Sequence, residues 1–529
     1  MPKILLPLLI FGLGLGGLSG GLSQAAPAER ENSSSVKALG ALEAITQLPE
    51  RSLTLDLILT LASERSDSIK AIRAGESLIL LPQLQAQAPL EPRAVLSAQL
   101  ISDSTQPVNP FSPSRTESNQ LSVGVFKATQ TGSELGFELS QGFGDIGFPA
   151  GSPFSIDPYY ESKASLSIRQ SLGANRLGYG TRRQLRSAAL QSRANQLQLE
   201  EALEQWVQGM AGIYYSAWLA QEQAKAALES LQRRQKLRRT VQVSFNRGTA
   251  EEADFLQVEA AVLTNENQNR QALKVLGDRW RDLVLTLKLP ETWLQTDLLK
   301  IPLKLDNVLT KAEDLCSNST PRRLSTRTQA LLEQSAQLEW ERARQGLQPQ
   351  LELQGRYFLN AVEGERSESL NSLGQGQNTG WSLGLQLTIP FDLTVEKMQL
   401  AQAVSQRSRA EAESSQARID EQVDWLNECA NLQRLKSDRV NLEKSLRAQQ
   451  RRVTLEDRRF QLGRTSVFSL IQAGDDLTQA ELSMSSHEVE IRQSAWRILS
   501  LTAKIKGHLE GIVESQSAAL QQGPLRGLL

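Results

Sequence analysis

The side chains with metal or thiol chemistry are few: His487, His508, Cys316 and Cys429 are all the histidines and cysteines in 529 residues. That leaves little material for a metal centre or a disulfide framework. His487 and His508 fall in a helical stretch without matching ligands, so surface or packing roles are expected. The expectation for Cys316 and Cys429 is two independent thiols. An even count in an oxidising compartment keeps a disulfide between them as the alternative. The glycine runs Gly12-Leu-Gly-Leu-Gly-Gly17 and Gly178-Tyr-Gly180 lack the strand–loop–helix setting of a phosphate loop. No nucleophile–base pair or paired-acid constellation stands out. The sequence therefore predicts no enzyme, no metal and no cofactor. With 58 basic against 59 acidic residues, it carries no bias toward nucleic acid.

The elements that could position a function are unusual. Between Phe391 and Leu462 there is neither proline nor glycine, and Glu, Gln, Arg, Leu and Ala dominate. Since these two residues are the costly ones in a helix interior, one rod of roughly 100 Å is predicted up to Gly463. Its apolar seam is sparse: Val423, Leu426, Ala430, Leu442, Leu446 and Val453. Prolines are also absent between Pro158 and Pro290 and between Pro390 and Pro524, so two helical blocks separate turn-rich ones. The first runs from Gly180 to Arg247, with Gly209 and Gly212 inside it read as sites of close helix packing. A second helix spans Glu251 to about Lys288. A short one lies around Asp306 to Leu315, and another runs from Ser325 to Gly346.

Before each long helix the period changes from helical to two, the strand signal. Leu96, Ala98 and Leu100 alternate with polar residues, as do Leu121, Val123 and Val125. The same holds for Leu135, Phe137 and Leu139, for Ala164, Leu166 and Ile168, for Leu351, Leu353 and Tyr357, and for Trp381 to Ile389. A Gly/Ser/Asn loop is expected between the last two. The halves also align without a gap across the end of the rod: Phe245 and Gly248 match Phe460 and Gly463, and Gln257 matches Gln472. Helix, strands, long helix, glycine turn and helix thus occur twice, which duplication explains best.

The N-terminus carries Lys3, the apolar run Ile4 to Leu18 and Ala25-Ala-Pro-Ala28, the pattern of a secretory signal cleaved after Ala25 or Ala28. No later apolar run is long enough for a membrane helix. Strands with one apolar and one polar face suit a soluble sandwich or a membrane barrel. A barrel must close, and each half supplies too few strands to do so alone, so several chains would share one. Polar helices would then surround a water-filled bore.

The segments Ser244-Phe-Asn-Arg-Gly-Thr-Ala-Glu-Glu-Ala-Asp-Phe-Leu-Gln257 and Arg459-Phe-Gln-Leu-Gly-Arg-Thr-Ser-Val-Phe-Ser-Leu-Ile-Gln472 resemble the two helix-hairpin tips of the TolC-type outer-membrane efflux channel family. Leu347-Gln-Pro-Gln-Leu-Glu-Leu353 is similar to its helix-to-strand junction. The likeness extends over nearly all of the mature chain. It implies a homotrimer with four strands per chain in a shared twelve-stranded barrel, and helical hairpins forming a periplasmic tunnel. It further implies a periplasmic adaptor (membrane fusion) protein and an inner-membrane pump as partners. By this resemblance Arg247, Gly248, Thr249, Gly463, Arg464 and Thr465 are adaptor-docking candidates at the tips. Gate candidates are Asp254, Gln257, Ser469, Gln472, Asp475 and Asp476. Some members carry acidic rings six and nine residues after the second tip's glycine, where this chain has Ser469 and Gln472. Asp254 keeps the acid in the first tip only, while Asp475 and Asp476 lie farther along.

The expected fold is mainly α with a membrane β-barrel portion, built from duplicated long helical hairpins and strands contributed to a trimeric barrel. The expected layout is a signal at 1–28, a first repeat at 29–290, a linker at 291–320, a second repeat at 321–510 and a tail at 511–529. Leu121 to Gly142 is expected to add a hairpin rising above the membrane as an extracellular loop. The functional expectation is an outer-membrane exit channel of a tripartite efflux or type I secretion system, a passive gated pore. The alternative is an exported helical scaffold protein without a pore.

Overall fold

A computed structural model describes residues 53–509 and 511, apart from 105, 107–108, 110–111, 150–151, 154, 289–293, 295–302 and 377. The signal segment, the start of the linker and nearly all of the C-terminal tail lie outside the described residues.

In chain order, β1 (Leu53–Thr54) leads into α1 (Leu55–Arg65), α2 (Asp67–Ala74) and α3 (Leu81–Gln87). Thr54 caps α1, its hydroxyl accepting from the Leu57 N–H. Four strands follow: β2 (Arg93–Asp103), β3 (Arg115–Ala128), β4 (Ser133–Gly147) and β5 (Tyr159–Ser171). The first long hairpin is α4 (Tyr179–Asn246) and α5 (Glu252–Thr286). After β6 (Leu303–Lys304) and α6 (Leu309–Asn318), α7 (Leu324–Gly346) introduces β7 (Gln350–Glu363), α8 (Arg366–Gln375) and β8 (Thr379–Thr388). The second hairpin is α9 (Thr394–Gln461) and α10 (Val467–Leu501). Both hairpins consist of a 68-residue helix and a 35-residue helix. The gap-free register around Gly248 and Gly463 is the sequence trace of that equality.

All six long strands form one antiparallel sheet in the order β2-β3-β4-β5-β7-β8. This corrects two expectations: the chain supplies six strands rather than four, and Leu121 to Gly142 lies within β3 and β4 at the middle of the sheet. It is not a loop projecting from the sheet. Alternation sorts the middle of the sheet into an apolar and a polar face. One face carries Leu96, Val123, Leu139 and Ala164 as consecutive cross-strand partners, with Val125, Phe137, Leu166, Tyr357 and Trp381 in the next row. The other carries Ser97, Ser122, Ser140 and Lys163 in register. The apolar face is solvent-exposed, with Leu100 at 85% and Trp381 at 75%, the opposite of a sandwich, whose apolar faces meet each other.

The segment expected as a loop between β7 and β8 contains α8. Ser369 anchors it, its hydroxyl oxygen lying 2.8 Å from Ser162 Oγ and 3.2 Å from the Ala361 carbonyl oxygen. Short polar side chains satisfying one another let this helix lie on the sheet without a large apolar contact.

A core of fully buried side chains surrounds the middle of α4 and the end of α10, where β1 and β6 pair in parallel. Tyr214 donates to the Leu53 carbonyl at 2.8 Å, Tyr215 donates to Asp306 Oδ1 at 2.8 Å, and Trp496 Nε1 donates to the Tyr215 hydroxyl at 2.7 Å. Burial pushes the Tyr215 hydroxyl and the Asp306 carboxyl upward from their ordinary pKa values. Arg492, 3.6 Å from Asp306 and 2.6 Å from Glu488, places a cation beside them.

Three further expectations are corrected. Cys316 and Cys429 are joined, with Cα atoms 5.8 Å apart, so α6 is stapled to the middle of α9; Lys436 and Glu313 pair nearby at 2.9 Å. A Cβ added at Gly209 or Gly212 would meet nothing within 4 Å, so close packing does not place glycine there. The seam of α9 is split: Trp425, Leu432 and Leu435 are buried, Leu442, Leu446 and Val453 half-buried, and Val423, Leu426 and Ala430 exposed. His487, by contrast, packs as expected, buried with Nε2 2.7 Å from the Leu435 carbonyl. His508 is half-buried, its ring 5.5 Å from Trp496 and Nδ1 2.7 Å from Lys311 Nζ. Burial and the neighbouring ammonium hold its pKa below the usual value.

Candidate functional site

The two turns that join the long helices are built alike. α4 must stop and reverse within five residues, and Gly248 supplies the left-handed conformation (φ 73°) that ends it. Its N–H donates to the Phe245 carbonyl (2.8 Å), and the Thr249 N–H and hydroxyl both donate to the Ser244 carbonyl (2.9 Å each). At the second turn Gly463 has φ 68°, its N–H donates to the Phe460 carbonyl (2.9 Å), and the Arg464 N–H donates to the Arg459 carbonyl (2.8 Å). Ser466 then caps α10 by accepting from the Ser469 N–H at 3.2 Å. Thr465 donates to Glu456 across the turn at 2.8 Å. Arg247, Gly248, Thr249, Gly463 and Arg464 are exposed, and Thr465 is half-buried.

The tips are not independent. Leu231, Leu237 and Val241 of α4, Val258 and Val262 of α5, and Val467 and Leu470 of α10 make one buried cluster. Phe255, Phe460 and Ile471 pack against it, and Phe245 stacks on Phe255 at 5.8 Å between ring centroids. The fold thus brings all six docking candidates to one end of the molecule.

Above this cluster the hairpins are joined by charge. Arg234 lies in the buried stripe of α4 yet is only 3% exposed. Its Nη2 donates to the Ile471 carbonyl (2.7 Å) and to Asp475 Oδ1 (2.5 Å), both on α10. Gly474 makes room, because a Cβ there would stand 3.1 Å from the guanidinium. The adjacent Arg233 donates to Thr478 Oγ1 at 2.9 Å, one turn farther along α10, and approaches Glu481 to 3.8 Å. Burial outweighs that cation and raises the Glu481 pKa. Asp476 pairs with Arg452 of α9 at 2.6 Å and accepts from Gln472 at 2.9 Å.

Asp475 and Asp476 are therefore engaged as ion-pair partners inside the chain. Asp254 lies half-buried in the first turn of α5, where a carboxylate suits the helix dipole. Gln257 is exposed and Ser469 half-buried. A cleft of about 300 Å³ between α4 and α9, bordered by Lys236, Thr240, Asp457 and Phe460, opens beside the Arg234 contact. Among the described residues no three His, Cys, Asp or Glu side chains gather as a metal site.

No protein-family model matches the chain, and no curated protein matches it in sequence. Solved structures do. The outer membrane protein VceC of Vibrio cholerae superposes with a TM-score of 0.61 at 13% identity, over 85% of this chain and 95% of that one. The outer-membrane channel OprN gives 0.62 at 17%, over 85% and 89%. The Campylobacter jejuni CmeC outer membrane channel gives 0.60 at 12%, over 97% and 98%. This chain has the outer-membrane channel fold. Within that fold, sequence reasoning placed both tips by their glycines but missed Arg234 and Arg233. An arginine among many on a polar helix carries no local mark, and its partners lie 241 and 245 residues away. The one available signal was an arginine recurring in the apolar stripe Leu231–Leu237–Val241.

Proposed function

We propose that the chain is an outer-membrane exit channel: a passive, gated, water-filled pore made by three copies, working with a periplasmic adaptor protein and an inner-membrane pump. The observation that carries this reading is a sheet with an exposed apolar face, open at both edges and continued by long polar helical hairpins. Strands of 10–15 residues are long enough to cross a bilayer, their exposed apolar residues suit lipid, and open edges cannot remain in lipid, so the sheet must close with further copies. In the same reading the tips project into the periplasm. Arg247, Thr249, Arg464 and Thr465 meet the adaptor there, and the Arg234–Asp475 contact holds the hairpins in the closed arrangement. Transport involves no covalent step.

The test is heat-modifiable migration together with single-channel conductance in planar bilayers. A channel migrates as an assembly until boiled and conducts; a water-soluble monomer without conductance would instead establish the helical scaffold. Photo-cross-linking from Thr249 or Thr465, followed by identification of the trapped protein, tests the docking role. Recovery of no periplasmic partner from either position rejects it.

A further inference from the structure

We infer that β3 and β4 are wall strands of the pore, so that three copies close an eighteen-stranded barrel rather than a twelve-stranded one. The inference rests on the trimeric channel reading and adds to it the number of strands and the charges that line the bore.

The hairpin is built into the sheet at every level. β3 pairs with β2 from Arg93↔Phe126 to Asp103↔Thr116, and β4 pairs with β5 from Ser133↔Gln170 to Gly144↔Tyr159. With 14 and 15 residues, both strands exceed the ~9–11 needed to cross a bilayer. The apolar row Leu96–Val123–Leu139–Ala164–Leu359 runs from β2 to β7 without a break, and two of its five members belong to the hairpin. A hairpin lying outside the wall would have no reason to continue this row at the same height.

Its turn is also fixed where the strands give way to helices. The Ser171 N–H donates to the Gly132 carbonyl (3.2 Å) and Gln170 Nε2 donates to the Thr131 carbonyl (3.0 Å). Gly132 and Gly178 approach so closely that a Cβ on Gly178 would stand 1.9 Å from the Gln130 carbonyl oxygen. The turn is thereby locked to the start of α4.

The polar face supplies the strongest argument. Glu134 and Glu138 of β4 are the hairpin's acids on that face. Arg93 of β2 reaches across β3 to Glu134 at 3.1 Å, and Arg356 of β7 reaches across β5 to Glu138 at 3.5 Å. Strands on both sides of the hairpin thus carry cations that its acids neutralise. Without the hairpin, each copy would place these two arginines in the bore without their acidic partners. Because β2 and β5 run in opposite directions, they could still pair directly, so a chain lacking the hairpin retains a closable four-stranded sheet.

Barrel diameter grows roughly linearly with strand number, so eighteen strands give a bore about 1.5 times as wide as twelve. The test compares the full chain with a variant lacking residues 104–147, in which residues 148–158 join β2 to β5. Electron microscopy of both in lipid nanodiscs should show trimers whose barrels differ in width by about that factor. In bilayers the variant's reversal potential under a KCl gradient should shift toward anions. A full-length trimer with a barrel as narrow as the variant's overturns the inference.

If the variant does not assemble, the full chain answers alone, since its native cysteines are bonded to each other. A fluorophore on Leu139→Cys should be quenched by nitroxides on lipid acyl chains, and one on Ser140→Cys by aqueous iodide. Aqueous quenching at both positions in a conducting trimer refutes the wall assignment while sparing the channel. A soluble monomer refutes the channel reading and the inference together.

Discussion

The Arg234–Asp475 contact makes an asymmetric prediction. Arg234 is 3% exposed, whereas the Asp475 side chain is 54% exposed, so the two partners depend on the bond unequally. Asp475→Asn leaves a buried guanidinium with the Ile471 carbonyl and a neutral amide. A hydrogen bond to a charged group contributes about 1.5–3 kcal/mol, and the open side of Asp475 lets water and salt screen part of it. A loss of about 1–2 kcal/mol in hairpin-to-hairpin affinity follows, an increase of roughly 5–30-fold in the open-to-closed ratio if this contact holds the gate. Arg234→Met removes the buried cation instead and leaves Asp475 hydrated. Replacing a buried charge by an apolar group of similar volume is often close to neutral, so the shift should stay below about 0.5 kcal/mol. Open-state occupancy in planar bilayers reads both variants. If Arg234→Met opens the channel as much as Asp475→Asn does, the ion pair is not acting through the buried charge. If neither variant changes occupancy, the contact does not hold the gate.

Other perturbations have equally definite outcomes. Glu204 of α4 is 3% exposed, and burial raises its pKa to about 7, against donation from the Ile505 and Lys506 N–H groups. A carboxyl with a raised folded pKa binds more protons folded than unfolded, so its contribution to stability falls as pH rises from the ordinary carboxylate range to about 7. Glu204→Gln should therefore stabilise the fold at pH 8, by up to the order of 3 kcal/mol, seen as a higher melting temperature, and make little difference at pH 4; an equal effect at both values contradicts the assignment. The Cys316–Cys429 bond closes a loop across 113 residues, which in the chain-entropy view is worth up to about 5 kcal/mol. The double serine variant should melt lower than the oxidised wild type and match the reduced one. Gly248→Ala and Gly463→Ala should each cost about 1–2 kcal/mol from the left-handed backbone alone, since a Cβ at either position touches nothing. Hydrogen exchange should locate the loss within the tip concerned.

The parts of the fold written in local pattern were legible in the sequence. The absence of proline and glycine gave α9 to within a few residues of its observed ends, and alternation found all six strands. Assembly of those strands was not legible, because alternation places Leu121 and Leu135 on a face without saying which strand lies beside them. The same limit hid α8: its serines and glycines read as loop because the bond from Ser369 to Ser162 spans 207 residues. The disulfide was missed for a related reason. Nothing near Cys316 or Cys429 shows that α6 crosses α9. At the tips the glycines were legible because backbone conformation is a local requirement, while the buried role of Arg234 depends on α10.

The apolar residues left exposed argue that one copy is an incomplete fold. α9 runs for 68 residues and buries only Ala403, Ser414, Trp425, Leu432 and Leu435. Ile419, Val423 and Leu426, spaced by four and three, form an exposed stripe on one side of it, and Val395 and Met398 are exposed nearer its start. α9 follows β8, one open edge of the sheet. At the other edge, β2 is preceded by a segment exposing Leu78, Leu80, Leu81 and Leu84. Both sets of unburied side chains therefore belong to elements that flank unpaired strands. In the proposed trimer, a neighbour set edge to edge would pair β8 with β2 and cover the adjoining apolar surfaces in the same step. The seam residues Val423 and Leu426 read as core in the sequence because their spacing is that of a core. In the trimeric reading proposed above, the core they serve is shared between copies, which would make the stability of the helical part inseparable from assembly.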